Sequence, residues 1–152
     1  MTDTMLSQDE AQIRQLMADQ ESALGAKDAE RLISRYAPGA VTFDLAPPLQ
    51  HTGAEVHDVA ALRKWLAGFD GPMELEMRDL SVTVGADVAF AYGLNRLSAT
   101  PRGTTERFDL WFRYTVGLRK VGGSWRITHE HQSTPFYMDD EFVFKAATDL
   151  EP

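Results

Sequence analysis

The spacing of apolar and polar residues predicts helices in the first part of the chain. Ser7 and Glu10 have the spacing of a capping box, so helix one is expected to begin at Ser7. Asp28 is expected to cap a short second helix, with Leu32, Ile33 and Tyr36 on one face, that stops at residues 38–39, Pro-Gly. Helix one carries a stripe for burial at helical spacing, made of Ile13, Leu16, Met17, Gln20 and Leu24.

A short strand and a third helix are predicted next. Residues 41–45 are β-prone and are followed by Ala-Pro-Pro, which places Asp44 at a strand end. Roughly residues 58–68 repeat apolar side chains at helical spacing, Trp65 among them. The order of elements is therefore helix, helix, strand, helix.

From residue 73 onward the alternation has a period of two and predicts four long antiparallel strands. In the first, the apolar phase slips near Arg78-Asp79, which indicates a bulge. The second is expected to place Tyr92 inward and the third Tyr114. The last places Trp125, Ile127, His129 and His131 on the inner face, with Glu130 on the outer face. Helices on one face of a curved sheet make an α+β fold.

Composition narrows the class of protein. The 152 residues are 43% hydrophobic and 25% charged, which is typical of one globular domain over residues 1–152. A formal charge of −8 disfavours nucleic acid and anionic membranes as partners. No cysteine is present, which excludes thiolate chemistry. The sequence has neither a signal-peptide pattern nor a run of about 18 apolar residues, so we expect a cytoplasmic protein.

Two segments resemble a known superfamily. The run from Arg31 to Asp44, with the His-Thr-Gly turn at residues 51–53, resembles the segment of ketosteroid isomerases that ends in their catalytic aspartate. Residues 123–133, GSWRITHEHQS, are similar to SnoaL-like proteins and to the association domain of calmodulin-dependent kinase II. The resemblance implies the cone-shaped NTF2-like fold, with three N-terminal helices packed on a curved, mostly antiparallel sheet around one pocket.

Asp44, His129, His131 and Tyr114 are the candidate catalytic residues. The resemblance implies that Asp44 is a base, because an apolar surround raises a carboxyl pKa toward the range useful for proton abstraction. Either histidine would be its acid–base partner, and Tyr114 would donate a hydrogen bond to a ligand oxygen. The isomerases' oxyanion-hole donors are not reproduced, because those positions fall near Asp19 or Gln20 and near Thr115 or Val116.

Three hypotheses about the function of these residues stay open. The first is an isomerase- or cyclase-type enzyme that moves a proton next to a carbonyl, and the second is a non-catalytic ligand-binding or oligomerisation module. The third is a metal site made by the two histidines with Asp44 or His51. Our expectation is a protein without metal or cofactor that binds a small apolar or carbonyl-bearing molecule, in a pocket lined by Leu16, Trp65, Tyr92, Phe108, Leu110, Phe112 and Ile127.

The outer face of the sheet predicts a second kind of contact. Trp111, Arg113 and Glu130 form a mixed face with a large aromatic side chain, which favours an interface. We expect a homodimer through this face. The aromatic, acidic tail from Phe136 to Phe144 is expected to be a lid or a dimer-packing segment.

Overall fold

The computed structural model describes residues 3–152 and the side chains from Thr4 onward. Its elements run in chain order as α1 (Asp3–Gly25), α2 (Ala29–Ser34), β1 (Tyr36–Phe43), β2 (His51–Thr52), a 3₁₀ turn (Gly53–Glu55), α3 (Val59–Leu66), β3 (Phe69–Val84), β4 (Val88–Pro101), β5 (Phe108–Val121), β6 (Ser124–Ser133), β7 (Phe136–Met138) and β8 (Phe144–Ala146). The α+β class is confirmed.

Six strands form a mixed sheet in the order β2-β1-β6-β5-β4-β3, and β7 and β8 form a separate pair. Within the larger sheet β1 runs parallel to β6 and the other neighbours are antiparallel. Helix α1 packs against β3 and α2. Its predicted stripe is buried or half-buried, so the helix lies on the sheet through the face that the sequence indicates.

Helix α1 begins before the predicted Ser7, which lies inside the helix. The first turns are held from their buried side by Asp9, whose side chain is 2% exposed. Its Oδ1 accepts hydrogen bonds from Trp125 Nε1 and Lys120 Nζ, both at 3.0 Å. The hydrogen bond from Trp125, followed by that from Lys120, lowers the pKa of Asp9 below its ordinary value. These contacts anchor the N-terminal part of α1 to β5 and β6.

The second helix is capped by Asp28 as predicted, with Oδ1 accepting from the backbone N–H of Arg31. It ends at Ser34, however, and Tyr36 begins β1. Pro38 and Gly39 do not end an element but lie within β1, where the pairing with β6 is interrupted between Tyr36 and Val41. Proline lacks the backbone donor of a ladder, and this irregularity accommodates it.

Helix α3 is shorter than predicted, and Asp58 caps it by accepting from the backbone N–H of Ala61. The bulge predicted in β3 is present, since the register with β4 shifts between Arg78 and Ser81 and Asp79 has a φ of 56°. Apolar side chains on both sides of the bulge therefore reach the same core. No helix in residues 3–152 is long and apolar enough to cross a membrane.

The inward face of β4 differs from the prediction. Ala89 and Ala91 are buried, whereas Phe90 and Tyr92 are about half exposed on the outer face, where their rings stack. The register with β5 explains why the small residues of β4 point inward. Large inward residues of β5 lie opposite them: Leu118 opposite Ala89, Val116 opposite Ala91 and Tyr114 opposite Gly93. Close packing leaves no room for a second row of large side chains. The inward position predicted for Tyr92 is wrong.

Candidate functional site

A second bulge, in β6, decides which residues reach the inside of the fold. Ile127 pairs with Leu118 of β5, but the next pair is His129 with Gly117, so Thr128 is an extra residue. A one-residue slip turns every following side chain to the other face. Beyond the bulge, Glu130 therefore points inward, and His129 and His131 point outward.

Glu130 is the centre of a buried polar cluster. Its side chain is 2% exposed, and its carboxylate accepts hydrogen bonds from the hydroxyls of Tyr114 at 2.5 Å and Tyr36 at 2.7 Å. Gln132 Nε2 donates to the same carboxylate at 3.1 Å. The prediction that Glu130 lies on the outer, dimer-forming face is therefore wrong.

Arg35 supplies the positive charge of this cluster. Its guanidinium is buried and donates to Gln20 Oε1 at 2.8 Å and to the backbone oxygen of Leu32 at 3.1 Å. Burial disfavours the charged form, but the surrounding groups, Glu130 among them, outweigh burial and raise the pKa of Arg35. One buried cation and one buried carboxylate thus leave the cluster with little net charge.

The hydroxyls of Tyr36 and Tyr114 both donate hydrogen bonds to the carboxylate of Glu130. Burial raises the pKa of Tyr36 and of Tyr114 well above the ordinary value, and the charge of Glu130 raises both further. Each hydroxyl therefore keeps its proton and donates it to Glu130. Since Tyr114 has one proton to donate, it has none left for a ligand in this arrangement, which removes the support for its predicted role as a ligand donor.

A cavity of about 140 Å³ lies beside the cluster. Its polar wall is formed by Gln20, Arg35, Tyr36, Asn95, Glu130 and Gln132, and its apolar wall by Leu24, Leu32, Leu62, Trp65, Leu75, Leu97 and Phe112. We refer to it as the inner cavity. Trp65 and Phe112, two of the predicted pocket residues, border this cavity.

Other predicted pocket residues lie elsewhere. Leu16 borders a different groove, between α1, α2 and β6. Ile127 is fully buried in the core, and Phe108 and Leu110 pack at its edge, none of the three lining the inner cavity. Tyr92 is on the outer face, as described above.

Asn95 is the unsatisfied residue of the inner cavity. Its side chain is 1% exposed, and its Nδ2 has no hydrogen-bond partner in the described part of the chain. Buried donors in folded proteins are almost always paired, so an orphan donor in a cavity wall needs an explanation. An acceptor atom of a bound molecule would pair with Asn95 Nδ2 and so explain it.

Asp44 follows β1 at the edge of the buried cluster. It lies two residues after Thr42, which pairs in register with Glu130, but its side chain is 38% exposed and does not line the inner cavity. Burial raises the pKa of Asp44 above its ordinary value, the charge of Glu130 raises it further, and nearby His51 opposes the rise. Asp44 Oδ2 lies 3.5 Å from His51 Nε2. Its predicted strand-end position is confirmed.

The predicted histidines do not join Asp44. His129 Nδ1 contacts the backbone oxygen of Val41 at 2.8 Å, and both His129 and His131 meet the ring of Phe43 edge-on. Since Val41 and Phe43 pair with these histidines on the outer face, they are separated from the inner cavity by the sheet. No group of three or more metal-ligating side chains is positioned to hold a metal ion within residues 3–152.

The homodimer stays a prediction, but the outer face through which it would form differs in composition from the one predicted. Trp111 remains half-buried, with the Arg78 guanidinium 4.6 Å from its ring centroid, and Arg113 is exposed. The histidines, Phe90 and Tyr92 take the place of Glu130 on this outer face. The tail is also largely exposed, including Phe136, Phe142 and Phe144.

The inward position of Glu130 was missed by the sequence reasoning, although one signal was available. Gly117 lies in the middle of β5, directly opposite the bulge. A glycine inside a strand often marks a bulge. This glycine could have warned that the alternation in the neighbouring strand slips.

Comparison with known proteins gives a consistent result. Residues 13–137 match the family model described as a SnoaL-like domain. An NTF2-like protein of unknown function from Pseudomonas putida KT2440 is 34% identical, with a TM-score of 0.81 and coverage of 96% of this chain and 98% of the other. Among curated protein sequences, none matches.

Two more distant structures share the fold. A protein provisionally named a scytalone dehydratase, from Novosphingobium aromaticivorans, is 19% identical, with a TM-score of 0.77 and coverage of 97% of this chain and 96% of the other. An NTF2-like superfamily protein from Salmonella enterica is 16% identical, with a TM-score of 0.73 and coverage of 89% of this chain and 96% of the other. At these identities the likeness concerns the fold alone.

Proposed function

Since the chain belongs to the family of SnoaL-like domains, we propose that its inner cavity binds a small, uncharged molecule with an apolar body and one acceptor oxygen. The observation that carries this proposal is the orphan donor of Asn95, which lines the cavity with Nδ2 unpaired. A carbonyl or hydroxyl oxygen would satisfy it.

The walls favour a neutral ligand. The cavity faces both the carboxylate of Glu130 and the guanidinium of Arg35, so neither an anion nor a cation is favoured by net charge. The remaining wall is apolar, which suits a hydrocarbon body with a single polar group. At about 140 Å³ the cavity is smaller than the roughly 300 Å³ at which drug-sized pockets begin. The ligand is accordingly compact.

Asn95→Leu tests the role of the orphan donor. Cyclohexanone is a suitable probe, and its binding to the wild type is measured by the shifts of backbone amide NMR signals. We expect Asn95→Leu to weaken binding about tenfold, a typical value for one lost hydrogen bond. The same variant is expected to keep or raise the midpoint of thermal unfolding, because it removes a buried donor that has no partner.

Two controls distinguish the loss of a hydrogen bond to the ligand from a general structural effect of the substitution. Tyr92→Leu changes the same strand on its outer face and should leave cyclohexanone binding unchanged. Methylcyclohexane has no acceptor, so Asn95→Leu should not weaken its binding. The proposal fails if cyclohexanone does not bind near the cavity, or if it binds Asn95→Leu as tightly as the wild type.

A second candidate function is proton transfer next to the ligand oxygen, with Asp44 as the base. Two observations support it: Asp44 lies two residues after Thr42, whose register partner Glu130 lines the inner cavity, and burial together with Glu130 raises its pKa. A more basic carboxylate accepts a proton more readily at neutral pH. The bound oxygen would be polarised by Asn95.

Exchange of the α-protons of cyclohexanone in D₂O, followed by NMR, tests this chemistry without knowledge of the natural substrate. The base must be ionised, so the protein-dependent exchange rate is expected to rise with pH through a midpoint above the ordinary carboxyl pKa of 3.8. Asp44→Asn should abolish that protein-dependent rate and leave binding intact. Binding without protein-dependent exchange would instead support a non-catalytic ligand-binding module.

A further inference from the structure

A groove of about 240 Å³ lies outside the inner cavity, between α1, α2 and the start of β6. Leu16 and Trp125 supply its apolar surface, and Arg31 and Arg126 line it from two different elements. Arg35 borders both spaces, but its guanidinium is engaged with Gln20 and Leu32. We refer to this feature as the arginine groove.

Arg31 and Arg126, which line the arginine groove, belong to a chain with more acidic than basic residues. Acidic residues outnumber basic ones by 23 to 15, and several cations have a carboxylate partner, as in the pairs Arg14–Glu10, Arg63–Glu30 and Arg96–Glu76. Within residues 3–152, neither Arg31 nor Arg126 forms an ion pair. Arg126 donates to the backbone oxygen of Ser34 at 3.2 Å.

A third arginine lies on the neighbouring strand. Arg119 of β5 lies directly opposite Arg126 in the ladder with β6. Like charges at facing positions of a sheet repel and are destabilising. Asp19 lies in the groove, but its Oδ1 accepts from Gln15 at 3.0 Å and pairs with none of the three arginines. Arg31 and Arg126 thus line the groove without forming an ion pair with its carboxylate, Asp19.

We propose that the arginine groove binds a small organic anion. Its phosphate or carboxylate group would lie between Arg31 and Arg126, because the planar fork of a guanidinium binds such groups through paired hydrogen bonds. Its apolar part would lie on Leu16 and Trp125. This site is separate from the inner cavity and does not depend on the function proposed for it.

Phenyl phosphate combines both features and is the probe for this site. Titration into the protein at low salt, followed by NMR, should give saturable binding with a Kd of about 1 mM. The indole N–H signal of Trp125 should shift during the titration. Raising the salt concentration should weaken binding, because the attraction is between charges.

Matched variants locate the site. The double variant Arg31→Gln with Arg126→Gln is expected to weaken phenyl phosphate binding at least about tenfold. Arg102→Gln removes an exposed arginine on the β4–β5 loop, which does not line the groove, and should have no effect. Asn95→Leu, which alters the inner cavity, should also leave phenyl phosphate binding unchanged.

Three results would overturn the proposal. The first is an absence of saturable binding, and the second is equal affinity of the wild type and the double variant. The third is equal affinity for inorganic phosphate and phenyl phosphate, which would show that the apolar surface contributes nothing to binding. If Asn95→Leu also weakened phenyl phosphate binding, the probe would be occupying the inner cavity, and that too would overturn the assignment.

Discussion

Glu130→Ala is expected to lower the free energy of unfolding by about 3–4 kcal/mol. The substitution removes the acceptor of the Tyr36 hydroxyl and of the Gln132 amide, and leaves the Tyr114 hydroxyl with the neutral acceptor Gln20 Oε1 at 3.1 Å in place of a carboxylate. Each buried group left unpaired costs about 1–3 kcal/mol. It also takes away the negative charge near Arg35. Urea denaturation at neutral pH measures the loss.

Glu130→Gln distinguishes the contribution of the side chain's shape to stability from the contribution of its charge. The amide keeps one acceptor oxygen and fills the same space, so it should cost less than alanine, about 1–2 kcal/mol. His131→Ala is the matched control on the same strand, because that side chain is exposed on the outer face. It should change stability by no more than about 0.5 kcal/mol. If Glu130→Ala had an effect as small as this control, Glu130 would have to lie on the outer face.

The two bulges differ in how far the sequence reveals them. In β3 the phase slip is visible, since Met73, Leu75 and Met77 alternate in one phase and Leu80 and Val82 in the other. In β6 the side chains after the slip are all polar or ionisable. Hydrophobicity therefore cannot say which phase is buried, and the run of His, Glu, His and Gln was continued from Trp125 and Ile127 into the wrong phase.

The inner cavity was partly predictable. Trp65 and Phe112 were placed in its wall because helical and strand periodicities both marked them as inward. Tyr92 was misplaced, because pattern alone favours the large residues of β4 over its alanines. Only the register with β5 shows that the alanines are needed inside. Pairing between distant segments is the information that a local pattern lacks.

Tyr114 shows how much of a single residue's position and role a sequence pattern can predict. Its inward position follows from the alternation in β5 and is confirmed by its burial. Its role depends on which acceptor lies within reach, and that acceptor, Glu130, is 16 residues away in the chain. Arg35 was not singled out by the sequence, and its partner Gln20 belongs to helix α1. Position could be predicted, whereas chemistry required the assembled fold.

Arg35→Met should also be strongly destabilising, by about 2–4 kcal/mol. Methionine fills much of the same space, but Glu130 would then be a buried carboxylate without a nearby cation. The hydrogen bonds to Gln20 Oε1 and to the backbone oxygen of Leu32 would be lost as well. Arg31→Met is the matched control, because Arg31 is exposed and its side chain forms no ion pair in the described chain; it should cost no more than about 0.5 kcal/mol.

The double variant Arg35→Met with Glu130→Gln tests whether the two charges act together. Once Glu130 is neutral, Arg35 no longer compensates a buried charge, so its removal should cost less. The double variant should therefore be more stable than the sum of the single losses predicts, by about 1–2 kcal/mol. Strictly additive losses in urea denaturation would show that Arg35 stabilises the fold through its hydrogen bonds and packing, and that Glu130 is held by the tyrosines alone.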